Sequence, residues 1–125
     1  MRTIEIRIEF PWSLAGVRIA CAALTTLNRL WLRSERVAGV EAPSLYTSGV
    51  RYARQRGPER FQWIPRVRAR RHGDCDQLAC WRAAELQEAG IDARAVPKKI
   101  GPNLIHIVVE HPGGFIEDPS KRLGM

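Results

Sequence analysis

Cys75, His106 and Asp118 are residues of the three types that together can perform acyl transfer, and they lie in order along the second half of the chain. Cys75 sits in RRHGDCDQLACWRAAELQEAG, residues 70–90, after Gly73, between Asp74 and Asp76, and just before a run of helix formers. A thiol at the start of a helix meets unpaired backbone amides and the positive end of the helix dipole. Both favour the thiolate, and the same amides can bind an oxyanion. His106 lies in LIHIVVE and Asp118 in FIEDPS, so the set supplies a nucleophile, a base and a carboxylate to orient the base. Taken singly, each has a plainer reading: a structural cysteine, a hydrogen-bonded core histidine, and an Asp-Pro-Ser turn.

These residues can meet only if the elements between them position them. Asp74 and Gln77 form a capping-box pattern, which predicts a helix beginning at Asp74 or Cys75, and Gly90 closes it. Cys75, Leu78, Ala79, Leu86 and Ala89 share one face of that helix. Cys80, Ala83 and Ala84 carry apolar character round the cylinder, so it is expected to pack centrally. Strands are predicted over 91–97, 103–110 and 115–118, with Pro112, Gly113 and Gly114 turning between the last two. His106 and Asp118 then fall on neighbouring antiparallel strands. An odd-length loop puts them on one face, and a two-residue loop without a bulge puts them on opposite faces.

Upstream, Ile4, Ile6, Ile8 and Phe10 alternate with polar residues, which predicts a strand ended by Pro11. From a Ser13 cap, Leu14, Val17, Cys21, Leu24, Leu27 and Trp31 recur at helical spacing toward Gly39, placing Cys21 in the core. The segment between is rich in Pro, Gly and Arg and yields one short strand-like piece at 50–53 and a helical turn after Pro58. The fold class expected is α+β: a central Cys-bearing helix packed on a C-terminal antiparallel sheet, with an N-terminal strand and long helix.

At 125 residues and 45% hydrophobic, the chain supports a single domain, 1–125. Its opening alternation is neither a secretory signal nor a membrane span, so a soluble chain, cytoplasmic where synthesised and with no membrane partner, is expected. Three cysteines cannot all pair, and Cys75 and Cys80 point to different faces of one helix. His72, Cys75, Cys80 and His106 lack paired CxxC or HxxxH spacing, so neither a metal nor a cofactor is expected. His111, beside the turn, is the weaker base candidate, and His72 most simply faces water.

The net charge of +7 is largely arginine, with eight arginines within residues 51–71. Such a field attracts nucleic acid, an acidic protein surface or an anionic polymer, or is a solvated surface. Because no recognised motif accompanies the charge, specific nucleic-acid binding is a minority reading that the basic charge alone keeps open. A binding module of that kind predicts salt-sensitive binding that weakens when Arg66, Arg68, Arg70 and Arg71 are neutralised.

In this order, Gly73-Asp74-Cys75-Asp76, Leu78-Ala79, Ala89-Gly90-Ile91-Asp92-Ala93-Arg94, His106 and Asp118-Pro119-Ser120 resemble a transglutaminase-like domain of the papain-like cysteine protease superfamily. The resemblance covers about residues 73–120. It implies amide acyl transfer on a protein or peptide substrate: hydrolysis, deamidation or transamidation. Cys75 would be the nucleophile, His106 the general base and acid, and Asp118 the residue that orients the histidine. The oxyanion candidates are Gln62, Trp63 and Cys75 itself. The family often carries aromatic residues shortly after the His and just before the Asp, where this chain has Ile107-Val108 and Ile116-Glu117. The GVRY and IP segments before GDCD, and the ending DPSKRLGM, are also similar to short transglutaminase-like proteins of tailed bacteriophages and prophages. That narrower likeness implies incorporation in a virion and phage structural proteins as partners. With the missing aromatics and the arginine-rich segment, it supports an alternative: a non-catalytic virion or assembly protein that retains the fold.

Overall fold

A computed structural model describes residues 9–57 and 60–125. The strand expected over residues 3–10 falls mostly on residues 1–8, outside the described residues. Phe10 is described, and it packs edge-on against Phe61 at 5.6 Å between ring centroids.

Helix α1 spans Leu14–Val37, and the Ser13 hydroxyl accepts the Gly16 amide at 3.0 Å, as a capping serine should. Its buried stripe is Val17, Ala20, Cys21, Leu24, Thr25 and Asn28. Leu14 and Leu27, expected on that stripe, are exposed instead. The helix rotates them outward because the smaller Ala20 and the polar Thr25 and Asn28 take the inner face.

A 3-10 turn at Leu45–Thr47 leads to β1, Arg51–Tyr52, which sits within the strand-like piece expected at 50–53. Residues 58 and 59, where the helical turn is expected to begin, lie outside the described residues. The described helix in this segment is α2, Ile64–Arg70, with Pro65 in its first turn, where a missing N–H costs nothing. Trp63 at its N-cap supplies no side-chain bond. The buried Asn28 of α1 does so from a distance, its Oδ1 accepting the Ile64 amide at 2.9 Å. Arg71 closes α2 with φ +63°, the one non-glycine residue at positive φ among the described residues, and turns the chain into β2, His72–Gly73.

Helix α3 spans Cys75–Glu88 with the expected capping box complete. Gly90, at φ +86°, and Ile91 close it, their amides bonding to Gln87 and Leu86 carbonyls in a Schellman arrangement. That closure uses residues 90–93, so β3 runs Arg94–Gly101 rather than 91–97. Strands β4, Leu104–Glu110, and β5, Ile116–Glu117, complete an antiparallel sheet in the order β3-β4-β5. Short β1 and β2 pair in parallel, Tyr52 opposite Gly73. A final short helix, α4, spans Pro119–Arg122.

Helix α3 is the centre of the packing, with a cluster on either side. One joins α1 (Val17, Cys21, Leu24) and the sheet (Ala95, Ile107, Val109) to Ala79, Cys80 and Ala83 of α3. The other gathers Leu45, Val50, Ile64, Val67 and Leu123 round Leu78 and Trp81. Alanines on the first side let the sheet and α1 approach closely. The observed class is therefore α+β with a central, doubly covered Cys-bearing helix. Among the described residues no helix is long and apolar enough to cross a membrane.

Candidate active site

The residues before Cys75 explain its position. Gly73 lies where a Cβ would meet Gln77 Oε1 at 3.1 Å, Val67 Cγ1 at 3.1 Å and Leu78 Cδ2 at 3.3 Å, a tight fit in which any side chain would press on α2 and on the first turn of α3. Asp74 then accepts the Gln77 amide at 3.4 Å while Gln77 Oε1 accepts the Asp74 amide at 3.2 Å. Cys75 is thus fixed as the first residue of α3, half-buried, with its side chain against the cluster that contains Ala79 and Ile107.

The other two cysteines are chemically different. Cys21 and Cys80 are 1% and 0% exposed, the Cys80 thiol points to the Cys21 carbonyl at 3.5 Å, and burial pushes Cys80 well above the ordinary thiol range. None of the three forms a disulfide.

His106 and Asp118 are brought together. Val109 pairs with Glu117 and Glu110 with Ile116, leaving an odd, five-residue turn from His111 to Phe115. That register sets Asp118 opposite Val108 and diagonal to His106, on one face of the hairpin. His106 Nε2 lies 2.8 Å from Asp118 Oδ2, and both side chains are largely buried. The other oxygen of Asp118 accepts the Lys121 amide at 3.3 Å and caps α4, which holds the carboxylate in place. The structure therefore pairs base and carboxylate directly. Cys75 opens α3 and packs on the cluster that contains Ile107, with Ile105 also against it; these two flank His106 on β4, along which successive side chains alternate between the two faces of the sheet.

A fourth residue, which no sequence pattern singles out, links the two sides. Tyr52 pairs with Gly73, donates its amide to the Leu123 carbonyl at 2.9 Å just beyond α4, and so stands between the Cys75 strand-helix junction and the Asp118-capped helix. Its hydroxyl is held protonated by burial first, then by the charges of Cys75, Asp74 and Asp118, with Arg54 opposing. The one signal in the sequence is GVRY, whose tyrosine stands two residues into a strand-like piece; its partner strand, His72–Gly73, is too short to show as a periodic pattern. Of the oxyanion candidates, Gln62 accepts a hydrogen bond from Arg70 and Trp63 is the 41% exposed N-cap residue of α2. The Cys75 amide is one of the first in α3.

Beside this site Glu117, 7% exposed, accepts from Arg82 Nε at 2.7 Å and from the Tyr46 hydroxyl, and lies 2.8 Å from His111 Nε2. His111, the weaker base candidate, is therefore engaged with Glu117. Burial alone would raise the Glu117 carboxyl, but the hydrogen bonds from Tyr46, His111 and Arg82 outweigh it and its pKa is lowered. A carboxyl lowered on folding contributes stability above its unfolded value of ~4.3, and that contribution is lost as pH falls through the folded value. Glu117→Gln is expected to cost about 2 kcal/mol at pH 7, with the difference from wild type shrinking below about pH 4. Urea unfolding of both proteins at pH 7 and pH 3.5 checks this; an equal difference at both values would show that the ionised carboxylate adds nothing.

Among the described residues no three of His, Cys, Asp and Glu converge in a way that could hold a metal ion. Comparison of the chain with family models, with curated proteins and with solved structures finds no match to any of them.

Proposed function

We propose that this chain is a papain-like, transglutaminase-like domain performing cysteine-dependent acyl transfer on a protein or peptide amide. The observation that carries the reading is the 2.8 Å His106–Asp118 pair, supported by Cys75 opening α3 and by Tyr52, whose hydroxyl feels the charges of both Cys75 and Asp118. Asp118 fixes the ring orientation and favours the imidazolium that forms when His106 takes the thiol proton. The thiolate then attacks the carbonyl carbon, and the first amides of α3 receive the charge that develops on oxygen. His106 returns its proton to the leaving amine, and water or a second amine releases the acyl group. Proton transfer requires the imidazole to come within hydrogen-bond reach of the sulfur, a contact that in resting enzymes tightens when substrate binds.

The test needs no substrate. The rate at which iodoacetamide alkylates Cys75, read by peptide mass against pH, is expected to stay high well below the ~8.5 of a plain thiol. A simple titration near that value would end the reading. The alternative, a virion or assembly protein that keeps the fold without the chemistry, draws on the aliphatic residues at 107–108 and at 116. It predicts assembly or partner binding unchanged by Cys75→Ala.

A further inference from the structure

We propose that Tyr46, from the 3-10 turn, is a positioning residue for the acyl-transfer site: it grips the chain on both sides of Asp118 and so fixes that carboxylate against His106. The inference rests on the acyl-transfer reading and deepens it by naming what holds the orienting carboxylate. Asp118 stands at a junction, between Glu117 at the end of β5 and Pro119 at the start of α4. On the strand side, the Tyr46 hydroxyl donates to Glu117 Oε2, the oxygen that also accepts Arg82 Nε at 2.7 Å. On the helix side, the Arg122 guanidinium lies over the Tyr46 ring, 3.8 Å from its centroid, and the Arg122 amide donates to the Asp118 carbonyl at 3.2 Å. One side chain therefore holds both neighbours of the junction.

The grip is needed because neither element is long enough to fix itself. Strand β5 has two residues and α4 has four, below the length at which a strand or helix persists without tertiary support. The two Asp118 oxygens are already engaged, one with His106 Nε2 and the other with the Lys121 amide, so they orient the carboxylate relative to its neighbours without anchoring it to the rest of the fold. Tyr46 supplies that anchor. Its own turn is tied to α3 by the Leu45 amide, which donates to Glu85 Oε2 at 3.0 Å, and Arg82 of the same helix lies over the ring at 5.2 Å. The helix that Cys75 opens thus also holds Tyr46, and through it Asp118. Burial first, then the hydrogen bond to Glu117 and its charge, push the Tyr46 hydroxyl up, with Arg122 and Arg82 opposing, so it remains a proton donor. A hydrogen bond weakens steeply as its geometry is lost, and small misplacements at a reacting site are costly in rate.

The test separates positioning from bulk stability. Tyr46→Phe keeps the ring under Arg122 and removes only the bond to Glu117; Tyr46→Leu removes both grips. Alkylation of Cys75 by iodoacetamide at pH 6 is expected to slow about 2- to 5-fold in Tyr46→Phe, and by less than ~1.5-fold when the same change is made in Asp118→Asn, where the group it positions is gone. A structural role would lower the urea midpoint equally in both backgrounds and leave the rate alone. An equal slowing in both backgrounds overturns the proposal.

A second arm does not involve the sulfur. The His106 Nε2 proton, bonded to Asp118, is expected to give an NMR signal that Asp118→Asn removes. Its exchange with water should quicken about 3- to 10-fold in Tyr46→Phe, and the signal should vanish in Tyr46→Leu. A wild type without this signal overturns the proposal, and so does an exchange rate unmoved in Tyr46→Phe, the variant that decides should Tyr46→Leu fail to fold. A wild-type alkylation profile like that of a plain thiol would end the acyl-transfer reading, while the exchange rate still reports whether Tyr46 holds Asp118.

Discussion

His106→Ala is expected to slow alkylation of Cys75 at pH 6 by about 10- to 30-fold and to move the midpoint of the rate profile up to ~8.5. The magnitude follows from two opposing effects. A plain thiol of pKa ~8.5 is only about 0.3% thiolate at pH 6, whereas a thiolate paired with imidazolium is mostly ionised there, a gain on the order of 100-fold. A less basic thiolate is also a weaker nucleophile, and a Brønsted coefficient of about 0.4–0.5 removes roughly one order of magnitude. Asp118→Asn leaves the imidazole but withdraws the charge held 2.8 Å from it, and a smaller loss is expected. Cys21 and Cys80 do not interfere, being 1% and 0% exposed in the folded protein. Superimposable profiles for wild type and His106→Ala would show that the histidine does not act on the sulfur.

The elements that bear these residues are legible in the sequence for different reasons. The capping box and the closing Gly90 are local signals, and α3 begins and ends where they predict. The pairing of His106 with Asp118 depends on loop parity, and the two glycines at positive φ in residues 111–115 supply the odd turn. Helix α2 escapes a sequence reading because its N-terminus is capped by Asn28, 36 residues away, and its own sequence is arginine-rich with a proline near the start. Helix α4 reads as a turn because Asp-Pro-Ser serves both; what extends it is the Asp118 side chain on the Lys121 amide. Tyr52 is hidden for a related reason. Its meaning comes from standing beside Gly73 and Leu123, contacts that join three distant parts of the chain.

The alanines of α3 let the sheet come close, and the opposite side of the same helix depends on bulk. Trp81, 1% exposed, fills the space between the 3-10 turn, α2 and Leu123 at the end of α4. Trp81→Ala is therefore expected to cost about 3–5 kcal/mol, the loss of a buried indole plus the cavity it leaves. Set against the roughly 5–15 kcal/mol typical of a whole domain, that is a large share, and the urea midpoint should fall steeply with little change in slope. Trp81→Phe, which retains most of the apolar volume, should cost less than half as much. The cost bears on the site as well as on stability, because the cluster round Trp81 fastens α4, and α4 is capped by the carboxylate that holds His106. In the fraction of Trp81→Ala that remains folded, Cys75 alkylation should shift toward the plain-thiol profile. A loss under about 1 kcal/mol would mean that the second cluster does not hold this side of the helix, and that Asp118 is positioned by the hairpin alone.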